Sequence, residues 1–461
     1  MNPLVSDNAP APTPVSPAPT QEAAQRRQEE PKEPEKAPKA PLPKADKYIW
    51  AIYIFILAVS VVELYSASSR EITGSNVFAP LLRHGKMLLL GVGLTIGFSR
   101  LRYKWLIPMA PVLVIFSLVI GVYVFFKGDV INGAMRSTTI LGIPVQPSEI
   151  MKLAAVVWIA LVISLTQIKR GVATKGVVLC AFIVLLFGGL LYRQGLTNTL
   201  LLMGTSFALM LIGGVEVKKF LAVLAVYAIV GGGYIAYAKA TTPHYSEEEK
   251  AHIVATGKNF AGKVTTLPRE GTQKSRIARW LDDSIPKYDQ TITSENRQEQ
   301  YSYMAQANGG LHGKLPGNSR ETARLPLAFS DYIFAIIVED WGLLGGIILL
   351  GAYLALLLRA GAIASRCSRA FPALLVMGMA MMIVLQALFH MAIVTGVFPV
   401  SGQPLPLISK GGSSIIATSI AFGIMLSVSR YAVQSNKKKD INAEILELPP
   451  DLSAANPAKL N

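Results

Sequence analysis

A group of carboxylates marks the start of one long apolar segment, SDYIFAIIVEDWG. Asp331 lies at its beginning, and Glu339 and Asp340 follow within it. On a helix, Glu339 would lie about 80° around the axis from Asp331 and roughly 12 Å further along it. A carboxylate at a membrane rim is costly to keep there, so Asp331 is a candidate functional residue. The residues leave open the alternative that Ser330 or Asp331 caps the helix.

Four further segments combine ionisable residues with turn-forming residues. NGAMRS (132–137) and QPSEIMK (146–152) flank a short loop, and the glutamate and lysine of the second are spaced for an i,i+3 ion pair. The glycines and asparagines of QANGGLHGKLPGNS (306–319) could bring backbone N–H groups to a phosphate, or they could simply form turns. PVSGQPLPLISKGGSS (399–414) interrupts an apolar region with proline and glycine. Irregular backbone at membrane depth is tolerated only where the protein buries it or where it lines a polar cavity. Together these segments predict a polar cavity on the outer side.

Sequence motifs for several other chemistries are missing. HExxH, GxSxG and Walker A patterns do not occur in the sequence. Its five histidines are scattered, and its only cysteines are Cys180 and Cys367. We therefore expect neither a metal cluster nor a disulfide framework. The sequence predicts no organic cofactor and leaves open a divalent cation, Mg²⁺ or Mn²⁺, that would neutralise a phosphate.

The elements that must position these residues are long apolar segments. Of the 461 residues, 51% are hydrophobic and only 16% are charged, and the mean hydropathy is +0.42. A helix of about 20 apolar residues crosses the hydrocarbon layer of a membrane, and the sequence holds about ten such segments. The predicted fold class is therefore an all-α polytopic membrane protein. The predicted spans are 48–66, 84–99, 105–126, 149–166, 174–192, 198–215, 217–238, 330–358, 371–397 and 410–433.

The net charge of +15 is distributed as a membrane topology predicts, and not as a nucleic-acid site. Residues 1–47 hold seven basic and seven acidic residues, so the excess positive charge lies in the membrane portion. With the N-terminus inside, the cytoplasmic segments carry fifteen Lys and Arg residues and the short outer segments carry seven. Both termini are therefore predicted to be cytoplasmic. Residues 239–329 then form one long extracytoplasmic loop between the seventh and eighth spans.

The predicted organisation has three parts. Residues 1–46 hold 11 of the 28 prolines and few large apolar residues, so they are expected to be a disordered cytoplasmic tail. A transmembrane domain covers residues 47–435 and includes the long outer loop. Residues 436–461 are predicted to be a cytoplasmic C-terminal tail.

Six motifs, in order, resemble those of the SEDS family, the FtsW/RodA polytopic proteins of bacterial cell-wall synthesis. The resemblance covers residues from about 48 to 433. The motifs are YSASS (65–69), NGA-R (132–136), QPSEIMK (146–152), GG--GK--GNS (309–319), SDYIFAII-ED-G (330–342) and PLPLIS-GGSS (404–414).

The resemblance implies a membrane enzyme that polymerises lipid II, the undecaprenyl-pyrophosphate-linked disaccharide-pentapeptide, into glycan strands. It also implies that a class B penicillin-binding transpeptidase and other membrane proteins of the division machinery are partners. Asp331 would be the catalytic residue of the family's DFIF motif. The residues expected to bind substrate are Arg136, Glu149, Lys152, Arg193, Lys314, Asn318, Ser319, Lys410 and Ser413.

The chain departs from the family pattern at several positions. Ser137 replaces the tryptophan that usually follows NGA-R, and RQGLTN (193–198) lacks the usual aspartate. Ser401 stands where the family often has lysine, and Lys410 where it has tyrosine. We expect an aromatic residue of the outer loop to fill the place left at Ser137, with Trp280, Tyr301 and Phe329 as the candidates.

Two other functions remain open at this stage. A lipid II flippase would use the cavity as a path, but it would need charges through the depth of several spans, and the candidates here sit at the outer rim. A scaffold that recruits the division machinery through its tails and loop is compatible with the enzyme. The long tails favour the FtsW type, in the inner membrane at the division septum, over the RodA type of cell elongation.

Overall fold

In the computed structural model of this chain, the described residues are 43–67, 79–127, 129–131, 134–140, 143–169, 171–192, 194–241, 276, 280–281, 286–293, 296–325 and 328–432. The chain divides into two units, Met1–Lys44 and Ala45–Asn461, and the elements below belong to the second. The predicted C-terminal tail and all but the last residues of the predicted N-terminal tail lie outside the described residues.

The described residues form a mostly helical protein, which confirms the predicted fold class. The helices are α1 (Lys47–Ala67), α2 (Ala79–Arg100), α3 (Leu106–Lys127), α4 (Pro147–Leu165), α5 (Thr174–Tyr192), α6 (Leu196–Ile212), α7 (Val217–Thr241), α8 (Arg297–Gly309), α9 (Ile333–Ala364), α10 (Ala370–Val394) and α11 (Gly412–Tyr431).

Seven of the described helices are long and apolar enough to cross a membrane: α1, α3, α4, α5, α9, α10 and α11. Each of the ten predicted spans coincides with a helix, and the remaining three fall on α2, α6 and α7. Helix α6 is apolar but shorter than the others. The predicted number of about ten crossings therefore stays a prediction.

Burial separates central helices from peripheral ones. About three quarters of the most apolar window of α4, α10 and α11 is buried within the protein, against 33% for α3 and 28% for α9. Helix α10 packs against α4, α6, α9 and α11. The exposed side of α3 carries large apolar residues such as Val112, Phe116 and Val119, as expected of a face that meets lipid tails.

Short strands occur between helices that the sequence analysis joined by turn-rich loops. Strands β1 (Asp129–Ile131), β2 (Ala134–Ile140) and β3 (Ile143–Val145) form an antiparallel sheet in the order β1-β2-β3. Strands β4 (Gln167–Ile168) and β5 (Gly171–Val172) form a second antiparallel pair. The expectation of a simple loop over residues 132–146 was thus incomplete, because alternation is hard to recognise in strands this short.

Asp46, just before α1, makes hydrogen bonds to α1, α9 and α11. Its carboxylate accepts hydrogen bonds from the N–H groups of Tyr48 and Ile49 at 3.0 and 3.1 Å, and from Arg359 Nε of α9 at 2.9 Å. Its own N–H donates to Ser429 Oγ of α11 at 3.1 Å. Burial raises the pKa of Asp46, but the bond and charge of Arg359 and the backbone donors outweigh it, so the pKa lies below its usual value.

Candidate functional site

Asp331 lies in the turn that leads into α9. Its carboxylate is half-buried and accepts a hydrogen bond from Ser330 Oγ at 3.0 Å. Tyr332, and not Ser330 or Asp331, occupies the N-cap position of α9. The next residues of α9, from Ile333 to Asp340, are all buried. Asp331 is therefore the carboxylate of this segment that reaches the protein surface.

The 404–414 segment holds the backbone just before Asp331. Ser409 Oγ donates to the carbonyl oxygen of Ser330 at 2.7 Å and accepts a bond from the N–H of Leu405 at 2.7 Å. The N–H of Lys410 donates to the carbonyl oxygen of Phe329 at 2.9 Å. Two long-range hydrogen bonds thus fix the two residues that precede Asp331.

The same segment contains a residue with unfavourable backbone geometry. Leu407 is buried and has φ of 64°, in the left-handed region that residues other than glycine rarely adopt. The hydroxyl of Tyr353 in α9 donates to the carbonyl oxygen of the adjacent Pro406 at 2.6 Å. Surrounding contacts of this kind are what maintains a strained residue, and such residues concentrate at functional sites.

Helices α1 and α2 form the wall behind Phe329. The rings of His84 and Phe329 are 5.0 Å apart with their planes near perpendicular. His84 Nε2 and Ser60 Oγ are hydrogen-bonded at 3.1 Å, and both residues are buried. Sequence reasoning did not select either residue, because a lone histidine near a helix start gives no motif.

The predicted i,i+3 ion pair is present and buried. Lys152 Nζ lies 2.8 Å from Glu149 Oε1, and the two side chains are 1% and 2% exposed. Lys152 Nζ also donates to Gln386 Oε1 at 2.5 Å, and Gln386 Nε2 donates to the carbonyl oxygen of Pro404 and to Ser414 Oγ. Gln386 was missed by the sequence analysis, yet it connects this pair to the segment that holds the Asp331 turn.

Glu339 is the hydrogen-bond acceptor for the turn that follows α8. Its carboxylate accepts bonds from the Ser319 hydroxyl, from Asn308 Nδ2 at 3.4 Å and from the N–H groups of Arg320 and Glu321 at 3.0 and 3.3 Å. The side chain is fully buried. In this structure Ser319 therefore binds Glu339, and the carboxylate organises the protein itself.

Two neighbouring backbones touch beside Glu339. The N–H groups of Lys314 and Leu315 donate to the carbonyl oxygens of Glu339 and Asp340 at 3.0 and 2.8 Å. A Cβ atom on Gly309 would lie 2.0 Å from the carbonyl oxygen of Val338. Gly342, with φ of 72°, lies at a kink in α9, and a Cβ there would lie 2.2 Å from the carbonyl oxygen of Leu311. Close packing thus requires Gly309 of the GG--GK motif and Gly342 of the ED-G motif to be glycines.

Asp340 and Glu63 are two further buried carboxyl groups, each of which accepts a hydrogen bond from a neighbouring side chain. Ser66 of α1 donates to Asp340 Oδ2, and Trp341 Nε1 donates to Glu63 Oε1 at 2.7 Å. The N–H of Gly317 donates to Ser66 Oγ at 3.0 Å, so the turn after α8 also contacts α1.

The predicted substrate-binding residues fall into separate groups. Lys410 and Ser413 are half-buried in the 404–414 segment, Glu149 and Lys152 form the buried pair, and Lys314, Asn318 and Ser319 surround the Glu339 turn. Asn318 is exposed and donates to the carbonyl oxygen of Lys314 at 3.1 Å. Arg136 lies in β2, where only the backbone is described, and Arg193 lies outside the described residues.

The three aromatic candidates for the place beside Ser137 lie in different surroundings. Trp280 Nε1 donates to the carbonyl oxygen of Gly396 at 3.1 Å, Tyr301 packs against the main core, and Phe329 contacts His84. The side chain of Ser137 is outside the described part of the structure. That expectation stays a prediction.

The fold and this site define a polytopic helical membrane protein whose half-exposed carboxylate is held at the start of one span by a loop before another. Residues 46–434 match the family of cell cycle proteins FtsW, RodA and SpoVE. The chain belongs to that family.

Known relatives and a solved structure agree with this assignment. The chain is 25% identical to the "probable peptidoglycan glycosyltransferase FtsW" of Halomonas elongata, over 86% of this chain and 92% of that one. It is 29% identical to the protein of the same name from Geobacter sulfurreducens, over 84% and 96%. A chain from a structure described as "structural coordination of polymerization and crosslinking by a peptidoglycan synthase complex" shares the fold, with a TM-score of 0.61, 24% identity and coverage of 84% and 98%.

Proposed function

We propose that this protein is a peptidoglycan glycosyltransferase that polymerises lipid II at the outer face of the bacterial inner membrane. The observation that carries the proposal is the half-exposed Asp331 carboxylate, whose preceding residues are fixed by Ser409 and Lys410. Membership of the family and the names of the relatives support the same reaction.

Asp331 acts in this proposal as the general base. Its carboxylate takes the proton of the acceptor's sugar 4-hydroxyl while that oxygen forms a bond to the anomeric carbon of the donor. The bond between the anomeric carbon and the pyrophosphate oxygen breaks, and undecaprenyl pyrophosphate leaves with the electron pair. Pyrophosphate is a good leaving group, so a second carboxylic acid to protonate it is not required.

Positive charges near the pyrophosphate would stabilise the charge that develops on it. Lys410 is one candidate, because its N–H donates to the carbonyl oxygen of Phe329, two residues before Asp331. Arg136, Arg193 and Lys314 are further candidates. Among the described residues, no group of three or more His, Cys, Asp or Glu side chains is arranged to hold a metal ion, and no step here depends on the Mg²⁺ or Mn²⁺ left open by the sequence.

The remaining predicted residues have supporting roles in this proposal. Glu149 and Lys152 are too deeply buried to meet a substrate in the described conformation, so they would support the 404–414 segment through Gln386. Asn318 and Ser413 have exposed or half-buried side chains that would contact the sugar or the peptide.

The decisive experiment is polymerisation of lipid II by the purified full-length protein in detergent, together with a class B penicillin-binding transpeptidase. Wild type should form glycan chains, and Asp331→Ala should not. Asp289→Ala is the matched control, because Asp289 is an exposed aspartate of the predicted outer loop that precedes Asp331. Polymerisation by Asp331→Ala at the wild-type rate would refute the assigned base.

The same assay tests the flippase alternative. Detergent micelles have no second leaflet, so a protein that only moves lipid II between leaflets would form no polymer in them. The buried Glu149–Lys152 pair is neutralised within the protein, which suits a structural role better than a path for a charged headgroup.

A role in cell division is the favoured setting. Relatives carry the name FtsW, and the matched structure is described as a complex that couples polymerisation to crosslinking, which supports a transpeptidase partner. A fluorescent fusion should concentrate at the division septum. Uniform labelling along the side wall would instead favour the RodA type.

A further inference from the structure

His84 of α2 and Ser60 of α1 form a buried polar pair behind the turn that carries Asp331. His84 is 4% exposed and Ser60 is fully buried, and His84 Nε2 lies 3.1 Å from Ser60 Oγ. Burying an imidazole and a hydroxyl among apolar helices costs free energy, and the bond between them offsets part of that cost. The mechanism described above uses neither residue, yet each contacts a different half of the site.

The imidazole ring of His84 contacts the half of the site that contains Asp331. Its centroid lies 5.0 Å from that of the Phe329 ring, and the two planes meet at 67°, an edge-to-face arrangement. Phe329 is 4% exposed and lies two residues before Asp331, and its carbonyl oxygen accepts the N–H of Lys410 at 2.9 Å. The ring of Phe329 is thus held by His84 while its backbone is held by Lys410.

Ser60 contacts the other half of the site, the 404–414 segment. Its hydroxyl donates to the carbonyl oxygen of Ile408 at 3.5 Å. Because a hydroxyl has only one hydrogen to donate, this direction requires His84 Nε2 to donate to Ser60. The next residue of the segment, Ser409, donates to the carbonyl oxygen of Ser330 at 2.7 Å. The pair therefore contacts both segments whose mutual hydrogen bonds fix the residues before Asp331.

The helix that carries His84 is itself packed closely against α11. Thr95 Oγ1 of α2 donates to the carbonyl oxygen of Ser419 at 3.0 Å. A Cβ atom on Gly91 would lie 2.6 Å from Ser419 Oγ, so the two helices touch where this glycine lies. Helix α11 directly follows the 404–414 segment. His84 thus projects from a helix that is fixed relative to that segment, which is the support that an accurately placed group needs.

We propose that His84 is a positioning residue for the reaction at Asp331. Through Phe329 and, with Ser60, through Ile408, it sets where the Asp331 carboxylate stands relative to the acceptor hydroxyl. The inference rests on the proposed function, because it assigns His84 a part in that reaction. A general base must lie within hydrogen-bond reach of the proton it takes, and a misplacement of about 1 Å costs a rate factor of about 100. A histidine that only filled the core would affect stability without a specific effect on the maximal rate.

The first test separates the two contacts of His84 in the lipid II polymerisation assay. His84→Phe keeps a ring against Phe329 and loses the bond to Ser60, His84→Gln keeps a donor and loses the ring, and His84→Ala loses both. The maximal rate should fall about tenfold in His84→Ala and about threefold in the other two, because each conservative variant restores one contact. The lipid II concentration for half-maximal rate should change less than about twofold, since His84 does not touch substrate. A wild-type maximal rate in His84→Ala would overturn the proposal.

The second test asks whether His84 and Ser60 act as one unit. Ser60→Ala should lower the maximal rate about threefold in wild type and cause no further loss in His84→Phe, where the bond is already absent. Ser117→Ala is the matched control, because Ser117 is a buried serine of α3 whose hydroxyl donates only within its own helix, to the carbonyl oxygen of Leu113 at 2.6 Å. Losses that multiply in the double variant would contradict the pair. These milder variants decide the matter if His84→Ala does not fold.

The third test measures positioning without turnover. Hydrogen exchange of the full-length protein in detergent reports the backbone bond from Lys410 to Phe329 through the peptide that contains Lys410. His84→Ala should speed exchange of that peptide at least about fivefold and leave peptides from the middle of α10 unchanged, because only the local opening becomes easier. Unchanged exchange at Lys410 would overturn the positioning role. A wild type that forms no polymer would instead remove the proposed function and leave the exchange result intact.

Discussion

Asp331 and Glu339 are carboxylates of the same segment, eight residues apart, and the structure gives them opposite surroundings. Glu339 is fully buried and accepts hydrogen bonds from four groups of the α8 turn. Asp331 is half-exposed, and the 404–414 segment fixes the backbone before it. A carboxylate whose acceptor sites are filled by the protein stabilises the fold, whereas one that reaches the surface is available to a substrate.

Replacing Asp331 should have the largest effect, and that effect should be on the rate of catalysis. Asp331→Asn should lower the rate of lipid II polymerisation at least about 100-fold, because an amide cannot take the acceptor proton. Its thermal unfolding midpoint in detergent should stay within a few degrees of wild type. The rate is followed by electrophoresis of labelled glycan chains. A large loss of stability together with the loss of rate would show that Asp331, too, is structural.

Glu339 should give the opposite pattern. Glu339→Ala leaves the donors of Ser319, Asn308, Arg320 and Glu321 without their acceptor, and should lower the free energy of unfolding by about 3 kcal/mol. Glu339→Gln keeps one acceptor oxygen and should lose less. Chemical denaturation in detergent measures both. If Glu339→Ala were as stable as wild type but inactive, the division of roles would have to be reversed.

The close contact between the backbones of α8 and α9 at Gly309 predicts a smaller loss of stability. Gly309→Ala places a Cβ atom 2.0 Å from the Val338 carbonyl oxygen, and should cost about 2 kcal/mol through overpacking. Gly97→Ala on α2 is the control, because its Cβ would meet nothing within 4 Å and alanine favours a helix by up to about 1 kcal/mol. Equal stability of the two variants would mean that the close contact is absent in solution.

The smallest effect concerns the opposite end of α9, where Asp46 binds Arg359. Because the pKa of Asp46 is lowered in the folded state, its contribution is present above the unfolded pKa of about 3.9 and is lost as pH falls through the folded value. Asp46→Asn should cost about 1 kcal/mol at pH 7 and less at pH 3. Thermal midpoints across this pH range measure the difference. A constant difference between the two proteins at both pH values would argue against this ion pair.

Local patterns in the sequence were sufficient for much of this structure. Apolar segments predicted the helices, i,i+3 spacing predicted the Glu149–Lys152 pair, and the motifs singled out Asp331. Contacts between distant residues were not predictable in this way. Gln386 meets Lys152 across 234 residues, and no periodicity encodes that meeting. The hydrogen bond from Ser319 to the buried Glu339 was missed for the same reason.

The glycine contact between α8 and α9 has a mechanical consequence. Where Gly309 and Gly342 bring two main chains together, no flexible side chain lies between them, so rotamer changes cannot alter the spacing. Four backbone hydrogen bonds, from Lys314, Leu315, Leu343 and Leu344, cross the contact in both directions. We therefore expect that a displacement of α8 would also displace the first turns of α9, and with them Asp331 at the start of that helix.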